Sequence, residues 1–170
     1  MVIPFLIRPT TLDDATAVDA LLGRSYAVLL APDYDADILA AALPGMTRAK
    51  PDLLTSGTYF IAVNAQDQVI ATGGWTKSAP TDGLISAATG HVRHVATDPA
   101  CLRAGLGRAL MAVIMTSALR AGVCQMACLS TRTAVPFYRA MGFIALRPIN
   151  VELQSGAVFP AIEMKAELTL

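Results

Sequence analysis

The stretch from Val95 to Leu110 contains the residues whose types and spacing most clearly indicate chemistry. It is predicted to be the end of a strand, a short loop with two glycines, Gly105 and Gly107, and a helix that begins at the second glycine. Such a loop leaves backbone N–H groups without partners at a helix N-terminus, where the helix dipole adds positive potential. Two arginines, Arg103 and Arg108, flank the glycines. The loop therefore predicts an anion site, and phosphate is the usual anion at such sites.

The loop does not by itself identify the ligand. Leu110 stands where a dinucleotide fingerprint has its third glycine, and the Gly-Lys-Ser/Thr sequence of a nucleotide P-loop is missing. On the glycines alone, an ordinary strand-to-helix turn is the favoured interpretation. The segment from Ala134 to Phe143 changes this, because it predicts a short helix that carries the aromatic pair Phe137-Tyr138 and ends at Gly142.

Together, the Leu102–Leu110 loop and the motif Phe137-Tyr138-x-x-x-Gly142-Phe143 resemble the GNAT superfamily of acyl-CoA-dependent N-acetyltransferases. The motifs lie in the family's order and at its usual separation, and the matched core covers roughly residues 91 to 143. The resemblance implies acetyl-CoA as the cofactor and acetyl transfer to a primary amine by direct attack in a ternary complex. The acceptor is expected to be a small molecule or a peptide.

The resemblance also implies where the cofactor lies. In the family, the strand before the loop pairs its backbone with pantetheine, and the loop holds the diphosphate. Leu102 stands where the family often has Gln or Arg, so backbone N–H groups are expected to hold the diphosphate, with two arginines as helpers. Ser130 is expected to bind either the cofactor or, more simply, its own turn. The expected cofactor-binding residues are Val95, Thr97, Arg103, Ala104, Gly105, Leu106, Gly107, Arg108 and Ser130.

Transfer from a thioester needs a neutral amine and a proton for the departing sulfur. Tyr138 is the expected acid, because a phenol with a pKa of about 10 keeps its proton at neutral pH. The resemblance assigns the same role to the tyrosine of the motif. The alternative is a tyrosine that packs against the sheet with its hydroxyl bonded to backbone.

The expected proton acceptor is His91, because the ordinary histidine pKa of about 6.5 suits a base near neutral pH. Some members of the family have Glu or His near the start of this strand, and His94 is the competing candidate. Strict alternation along the strand places His91, Arg93, Val95 and Thr97 on one face, unless a register slip or a bulge intervenes. The other interpretation of His91 is a solvated edge residue. Arg93 is expected to bind an anionic substrate group or, preferably, to pair with a carboxylate.

Hydrophobic periodicity and turn residues predict the elements that must position these residues. Strand and helix patterns alternate in the middle of the chain and hairpins lie at both ends, which indicates an α/β (α+β) mixed sheet with helices on both faces. With the resemblance, the expectation is one domain, residues 1–170, built on a mixed, mostly antiparallel sheet of about seven strands. The predicted strands are Val2–Arg8, Thr58–Asn64, Val69–Trp75, Gly90–Thr97, Cys124–Leu129, Phe143–Leu153 and Val158–Leu168. The predicted helices are Thr11–Leu30, Asp33–Leu43 (stopped by Pro44-Gly45), Gly107–Ala121 and the short helix around Tyr138.

The composition of the chain further limits its possible functions and partners. The 170 residues are 54% apolar and 15% charged with no formal net charge, which favours a globular protein and argues against a nucleic-acid partner. The most apolar helix, residues 109–119, is shorter than the roughly 20 residues of a membrane span. Three cysteines without a pairing pattern predict free thiols, a cytoplasmic location and no metal site. The apolar excess hints at a homodimer.

The acceptor site is the least patterned part of the chain. It is expected at the first two helices and the Ser78–Gly90 loop, where acidic and aromatic residues would suit an ammonium group. A CoA-binding sensor or regulatory domain without catalysis is the alternative function, and a nucleotide-binding module is a further one. The notable residues near the expected acceptor site are Tyr26, Asp33, Tyr34, Asp35 and Trp75.

Overall fold

Seven strands form one sheet in the computed structural model, which describes residues 2–169. Along the sheet their order is β1-β2-β3-β4-β5-β7-β6, and every neighbouring pair is antiparallel except β4 and β5. The predicted mixed, mostly antiparallel sheet is confirmed. The strands are β1 (Phe5–Pro9), β2 (Tyr59–Asn64), β3 (Val69–Thr76), β4 (Thr89–Thr97), β5 (Gln125–Ser130), β6 (Ile144–Glu152) and β7 (Val158–Glu167).

Helices cover both faces of this sheet. Short 3-10 turns precede the first helix, at Leu12–Asp14, and the fourth, at Pro99–Cys101. Within the described part of the chain, no helix is long and apolar enough to cross a membrane. The helices are α1 (Ala15–Leu29), α2 (Ala36–Met46), α3 (Pro51–Leu54), α4 (Leu106–Arg120) and α5 (Val135–Ala140).

The end of α2 differs from the prediction, which stopped this helix at Leu43. The helix continues through Pro44 to Met46, and its end is closed by two hydrogen bonds from Thr47 to the carbonyl of Leu43. Because Pro44 lies in the last turn, its missing N–H removes only one intrahelical bond, and the following residues can keep the helical course. The short helix α3 was not predicted at all, although proline at its first position is typical of a helix start.

Two apolar cores lie on opposite faces of the sheet, and β2 contributes to both by alternation. Phe60 and Ala62 pack into the core under α4, whereas Tyr59 and Ile61 pack into the core under α1 and α2. Full burial of side chains the size of Phe60 or Ile61 stabilises the fold by about 1.5–3 kcal/mol each. The sheet is therefore a fixed partition, and any cavity that crosses it must use a gap between strands.

Strand β4 provides such a gap, and a β-bulge shapes it. Ala96 pairs with Thr72 and Arg93 pairs with Gly74, so two residues of β4, His94 and Val95, stand opposite one residue of β3. His94 takes a positive φ of 45° at this point. A bulge of this kind adds a residue to one strand and re-aims the side chains that follow it.

The bulge corrects the predicted alternation. Val92 and Val95 both pack toward the core under α4, and Ala96 packs into the opposite core. Val95, and with it Thr97, is therefore not on the face of His91, because the extra residue shifts the period of two by one.

On its other side, β4 pairs with β5 only from Thr89 to His91, opposite Gln125 to Ala127. Strand β5 then continues in register with β7 as far as Ser130. Beyond His91 the two strands therefore part, and the sheet is open between them.

Gly74 allows β2 and β3 to approach closely beside the bulge. A Cβ at this position would lie 2.6 Å from the Tyr59 Cα, and it would also meet the carbonyl oxygen of Thr58. We expect Gly74→Ala to destabilise the protein by about 1–3 kcal/mol, because two backbones must move apart. Denaturant unfolding would measure the change.

The matched control is Gly45→Ala, which replaces a glycine in α2 that has open space around it. Alanine favours a helix over glycine by up to about 1 kcal/mol, so this variant should be as stable as the wild type or more stable. Equal stability of the two variants would contradict the close approach at Gly74.

Candidate functional site

The loop at the start of α4 connects β4 to a helix that starts within one residue of the predicted position. Gly105 is the residue before the helix and has a φ of 78°, a left-handed conformation that glycine adopts without strain. The first backbone hydrogen bond of the helix runs from the Ala109 N–H to the Gly105 carbonyl, at 3.0 Å. Between residues 2 and 169, no acceptor is paired with the N–H groups of Leu102 to Arg108. These N–H groups are available to an anion, and the helix begins one residue earlier than predicted.

The two arginines of the loop are also available. Arg103 and Arg108 are exposed, and neither lies within 4.0 Å of a carboxylate in the described part of the chain. Arg103 adopts a positive φ of 60°. Buried Leu106 anchors the loop in the core under α4. The loop is thus held from below and presents donors and positive charge outward.

The loop and the aromatic motif of α5 are in contact. A Cβ at Gly107 would lie 3.0 Å from the ring of Phe137, so the glycine makes room for α5 against the start of α4. The ring of Tyr138 packs edge-on between Phe137 and Phe143, at centroid distances of 5.2 and 5.3 Å. The two motifs on which the resemblance was based therefore form one unit in space.

A cavity of about 190 Å³ occupies the gap between β4 and β5. Its walls come from both cores, since Cys128 and Tyr138 belong to the core under α4, and Tyr26 and Phe159 belong to the core under α1 and α2. The cavity therefore crosses the sheet at its only parallel strand pair. Residues contributed by β4 and β5 to its walls are Val92, Arg93, His94, Val95, Cys128, Leu129 and Ser130.

Tyr138 faces this cavity with only 5% of its surface exposed. Burial, together with the adjacent Cys128 thiol, raises the pKa of the Tyr138 phenol well above its usual value of 10. Burial likewise raises the pKa of Cys128 to about 12. Both groups hold their protons at neutral pH. The Tyr138 hydroxyl has the Cys128 thiol as its hydrogen-bonding neighbour, and both groups line the cavity.

The two histidines of β4 are in different places. His91 lines a second, smaller cavity of about 100 Å³, together with Pro80 and Glu163, and does not line the cavity of Tyr138. His94, at the bulge, does line the larger cavity. The two cavities share the walls formed by Pro80, Val92, Cys128 and Leu129.

Both histidines are neutral at physiological pH. Burial lowers the pKa of His91 below 6.5, and the positive charge of Arg93 lowers it further. Burial lowers the pKa of His94 to about 4, with further contributions from Arg93 and Lys50. Of the two, His91 therefore has the pKa nearer to neutral, whereas His94 shares the cavity with Tyr138.

The remaining predicted cofactor residues lie on β4 and β5. Val95 lines the cavity, whereas Thr97 lies farther along β4, paired with Ala71, and does not line it. Ser130 is the last residue of β5 and is 1% exposed. Its hydroxyl donates to the Thr131 carbonyl at 2.7 Å, which is the turn-satisfying role that the sequence suggested for it.

Most of the acidic and aromatic residues expected at the acceptor site do not line the larger cavity. Tyr26 lines the cavity, but Trp75 is buried in the core under α4, with its indole N–H donating to Ser117 at 3.0 Å. The Tyr34 hydroxyl donates to the Pro160 carbonyl and accepts from the Arg132 N–H, both at 2.8 Å. These bonds tie the α1–α2 connection to β7 and to the loop that leads into α5.

Asp33 and Asp35 are also outside the cavity. Asp33 accepts a hydrogen bond from Thr133 at 2.7 Å, and Asp35 precedes the first residue of α2. Among the described residues that line the larger cavity there is no carboxylate, and Arg93 is the one residue with a formal charge. The predicted carboxylate partner of Arg93 is also wrong, because its guanidinium donates to Thr76 and to the Ser78 carbonyl.

The sequence analysis did not locate two features of the site, although it left a bulge in β4 open as an alternative. The first is the bulge, which the Gly73-Gly74 pair in β3 signals, because a Cβ at Gly73 would lie 2.8 Å from a methyl group of Val95. The second is the wall formed by Met46 and Phe159, which only tertiary packing brings together. The residues between 2 and 169 contain no group of three or more His, Cys, Asp or Glu side chains that could hold a metal ion.

Comparison with known proteins places the chain in a family. The sequence model described as "Acetyltransferase (GNAT) domain" matches residues 55–145, which is more than half of the chain and includes both motifs. No curated protein matches the sequence significantly.

Solved structures agree in fold. A GCN5-related N-acetyltransferase from Rhodopseudomonas palustris is 18% identical, with a TM-score of 0.77 and 99% of each chain covered. The PaiA N-acetyltransferase from Thermoplasma acidophilum, solved in complex with coenzyme A, is 12% identical, with a TM-score of 0.72 and 96% of this chain and 99% of that chain covered. The ribosomal-protein-S18-alanine N-acetyltransferase from Escherichia coli is 16% identical, with a TM-score of 0.66 and coverage of 98% and 96%.

Proposed function

Because the chain belongs to the GNAT family of acetyltransferases, we propose that it transfers an acetyl group from acetyl-CoA to a primary amine by direct attack in a ternary complex. The observation that carries this proposal is the cavity between β4 and β5, which Tyr138 enters from one core and which continues to the other face of the sheet. Donor and acceptor can therefore approach one another from opposite faces.

The loop before α4 fits the diphosphate of coenzyme A. The N–H groups of Leu102 to Arg108 supply hydrogen-bond donors, the α4 dipole supplies positive potential, and Arg103 and Arg108 supply charge. The edge of β4 beyond His91 has no strand partner on the β5 side, so its backbone is open to the pantetheine arm. The PaiA structure, which has the same fold, was solved with coenzyme A.

When bound, acetyl-CoA supplies the activated acetyl thioester. The amine nitrogen forms the new bond to the acetyl carbon, the bond from that carbon to sulfur breaks, and the amine loses a proton. Tyr138 is the acid that gives its proton to the departing sulfur, since burial keeps the phenol protonated until that step. The proton that the amine releases then returns to the phenolate through solvent, so that Tyr138 is regenerated. The Cys128 thiol also stays protonated, with a pKa of about 12, and a protonated thiol is a poor nucleophile. Direct attack by the amine is therefore favoured over an acetyl-cysteine intermediate.

The proton acceptor is proposed to be His91, acting through solvent from the neighbouring cavity. Its lowered pKa leaves it neutral at physiological pH while keeping it a stronger base than His94. Arg93 cannot take this role, because a guanidinium stays protonated.

Gly105 provides the test of the cofactor site. We expect Gly105→Glu to weaken coenzyme A binding at least about tenfold, because it places a negative charge where the diphosphate would meet the helix N-terminus. Isothermal titration with coenzyme A would measure the dissociation constant.

The control is Gly122→Glu at the other end of α4, where φ is 82° and a Cβ likewise meets no atom within 4 Å. It shares the backbone strain and the added charge, so it should bind coenzyme A as the wild type does. Unchanged affinity in Gly105→Glu would refute the diphosphate assignment.

Tyr138 provides the test of catalysis. We expect Tyr138→Phe to lower kcat by roughly 100-fold, because the sulfur loses its proton donor. Coenzyme A affinity should stay the same. The assay measures free coenzyme A released in the presence of a panel of primary amines.

An unchanged kcat in Tyr138→Phe would remove Tyr138 from the mechanism. If the wild type binds coenzyme A but acetylates no amine of the panel, the alternative of a non-catalytic CoA-binding sensor replaces the proposed enzyme.

The pH dependence distinguishes the two histidines. A base acts in its neutral form, so kcat/KM should fall as the pH drops through the base's pKa. With His91 as the base, the fall lies somewhat below pH 6.5, and His91→Gln removes it. A fall near pH 4 that is removed by His94→Gln instead would assign the role to His94. The measurement is a pH profile of kcat/KM for the wild type and both variants.

A further inference from the structure

Arg93 is a cation without a counter-ion on the wall of the cavity. Its side chain lies on the α1 and α2 side of the sheet, because the preceding residue, Val92, packs into the opposite core. Its Nε donates to the Thr76 hydroxyl at 2.9 Å, and its Nη2 donates to the Ser78 carbonyl at 3.0 Å. No carboxylate of residues 2–169 lies within 4.0 Å of it.

The guanidinium has donors to spare. A guanidinium carries five N–H donors, and the two bonds above leave both donors of Nη1 and one of Nη2 free. The group is half-buried, and burial lowers the pKa of Arg93 with no acidic neighbour to offset it. Keeping a partly buried charge unpaired is costly. An anionic ligand that pairs with the guanidinium would offset this cost.

The other walls on this side of the cavity are apolar or neutral. Met46, Val151, Leu153 and Phe159 provide an apolar surface, and His94 is uncharged at physiological pH. A polycationic acceptor would bring a second positive charge toward Arg93 and would find no carboxylate among these described walls. An amine that carries a carboxylate would instead match the charge and the free donors of the guanidinium.

We propose that Arg93 binds the carboxylate of the acceptor, so that the acceptor is a small amino acid with an apolar side chain. The inference rests on the proposed acetyl transfer and adds the class of acceptor to it. The guanidinium holds the carboxylate through its free N–H donors, the apolar wall receives the side chain, and the amine is directed toward the gap between β4 and β5.

The test compares three matched amines: L-leucine, L-leucinamide and 3-methylbutylamine. All three have the same side chain. L-leucine has a carboxylate, L-leucinamide has an uncharged amide in its place, and 3-methylbutylamine has neither. The amide has the less basic amine and therefore the larger neutral fraction, so reactivity alone favours the amide. We expect kcat/KM for L-leucine to exceed that for both other amines by roughly 10- to 100-fold, the range of a charge-assisted hydrogen bond.

In Arg93→Gln this preference should disappear, whereas Arg93→Lys, which keeps the charge and loses the fork, should keep part of it. The control Arg120→Gln removes an exposed arginine at the end of α4 and should leave the preference unchanged. Thermal unfolding of all three variants shows whether a loss of preference comes from a loss of structure. A merely structural Arg93 would affect the three amines equally.

The outcomes distinguish a failure of the carboxylate site from a failure of the proposed acetyl transfer. Transfer to all three amines with similar kcat/KM, or a preference that survives Arg93→Gln, would overturn the carboxylate site and leave the acetyltransferase intact. A loss of coenzyme A affinity in Arg93→Gln would overturn it as well, since the charge would then serve the cofactor. If no amine is acetylated, titration of L-leucine into the protein saturated with coenzyme A still decides: binding that requires Arg93 supports the site, and no binding refutes it.

Discussion

The short pairing of β4 with β5 sets the geometry on which the rest of this molecule depends. The two strands are in register over three residue pairs, from Thr89 to His91, and then part. Beyond this point the backbone groups of β4 and β5 are not hydrogen-bonded to each other, and a passage opens through a sheet that is otherwise continuous. The bulge at His94 re-aims the side chains that border the opening. The cavity lies in this break, Tyr138 faces it, and His94 lines it whereas His91 does not.

Around the break, burial determines the protonation states of the side chains more than charge pairing does. Tyr138 and Cys128 keep their protons because their anions would be poorly solvated, and the two histidines lose theirs for the corresponding reason. Arg93 reinforces this, since its charge lowers the pKa of both neighbouring histidines. The wall of the cavity is therefore neutral at physiological pH, apart from one guanidinium, which makes that guanidinium the dominant electrostatic feature of the cavity.

The sequence predicts best what is local. Gly105 and Gly107 mark a loop and a helix start within a few residues, and Tyr138 belongs to a compact motif, so short-range patterns and the resemblance based on them locate these residues. The face of Val95 could not be obtained in this way, because the bulge depends on Gly73-Gly74 in a different strand. The apolar wall of the cavity is less predictable still. Met46, Leu153 and Phe159 come from three distant segments, and only tertiary packing shows that they meet.

The break also divides the sheet into two unequal parts, β1 to β4 and β5 to β7, which the sheet itself joins through few hydrogen bonds. Other links are made by side chains, such as the hydrogen bonds of Tyr34 to Pro160 and Arg132. A molecule that lies along the open edge of β4 would act as a substitute strand and tie the parts together. Its binding free energy would then stabilise the folded domain against unfolding, and more so as its concentration rises. Ligand concentration would thereby become a determinant of how rigidly the two parts of the sheet hold together.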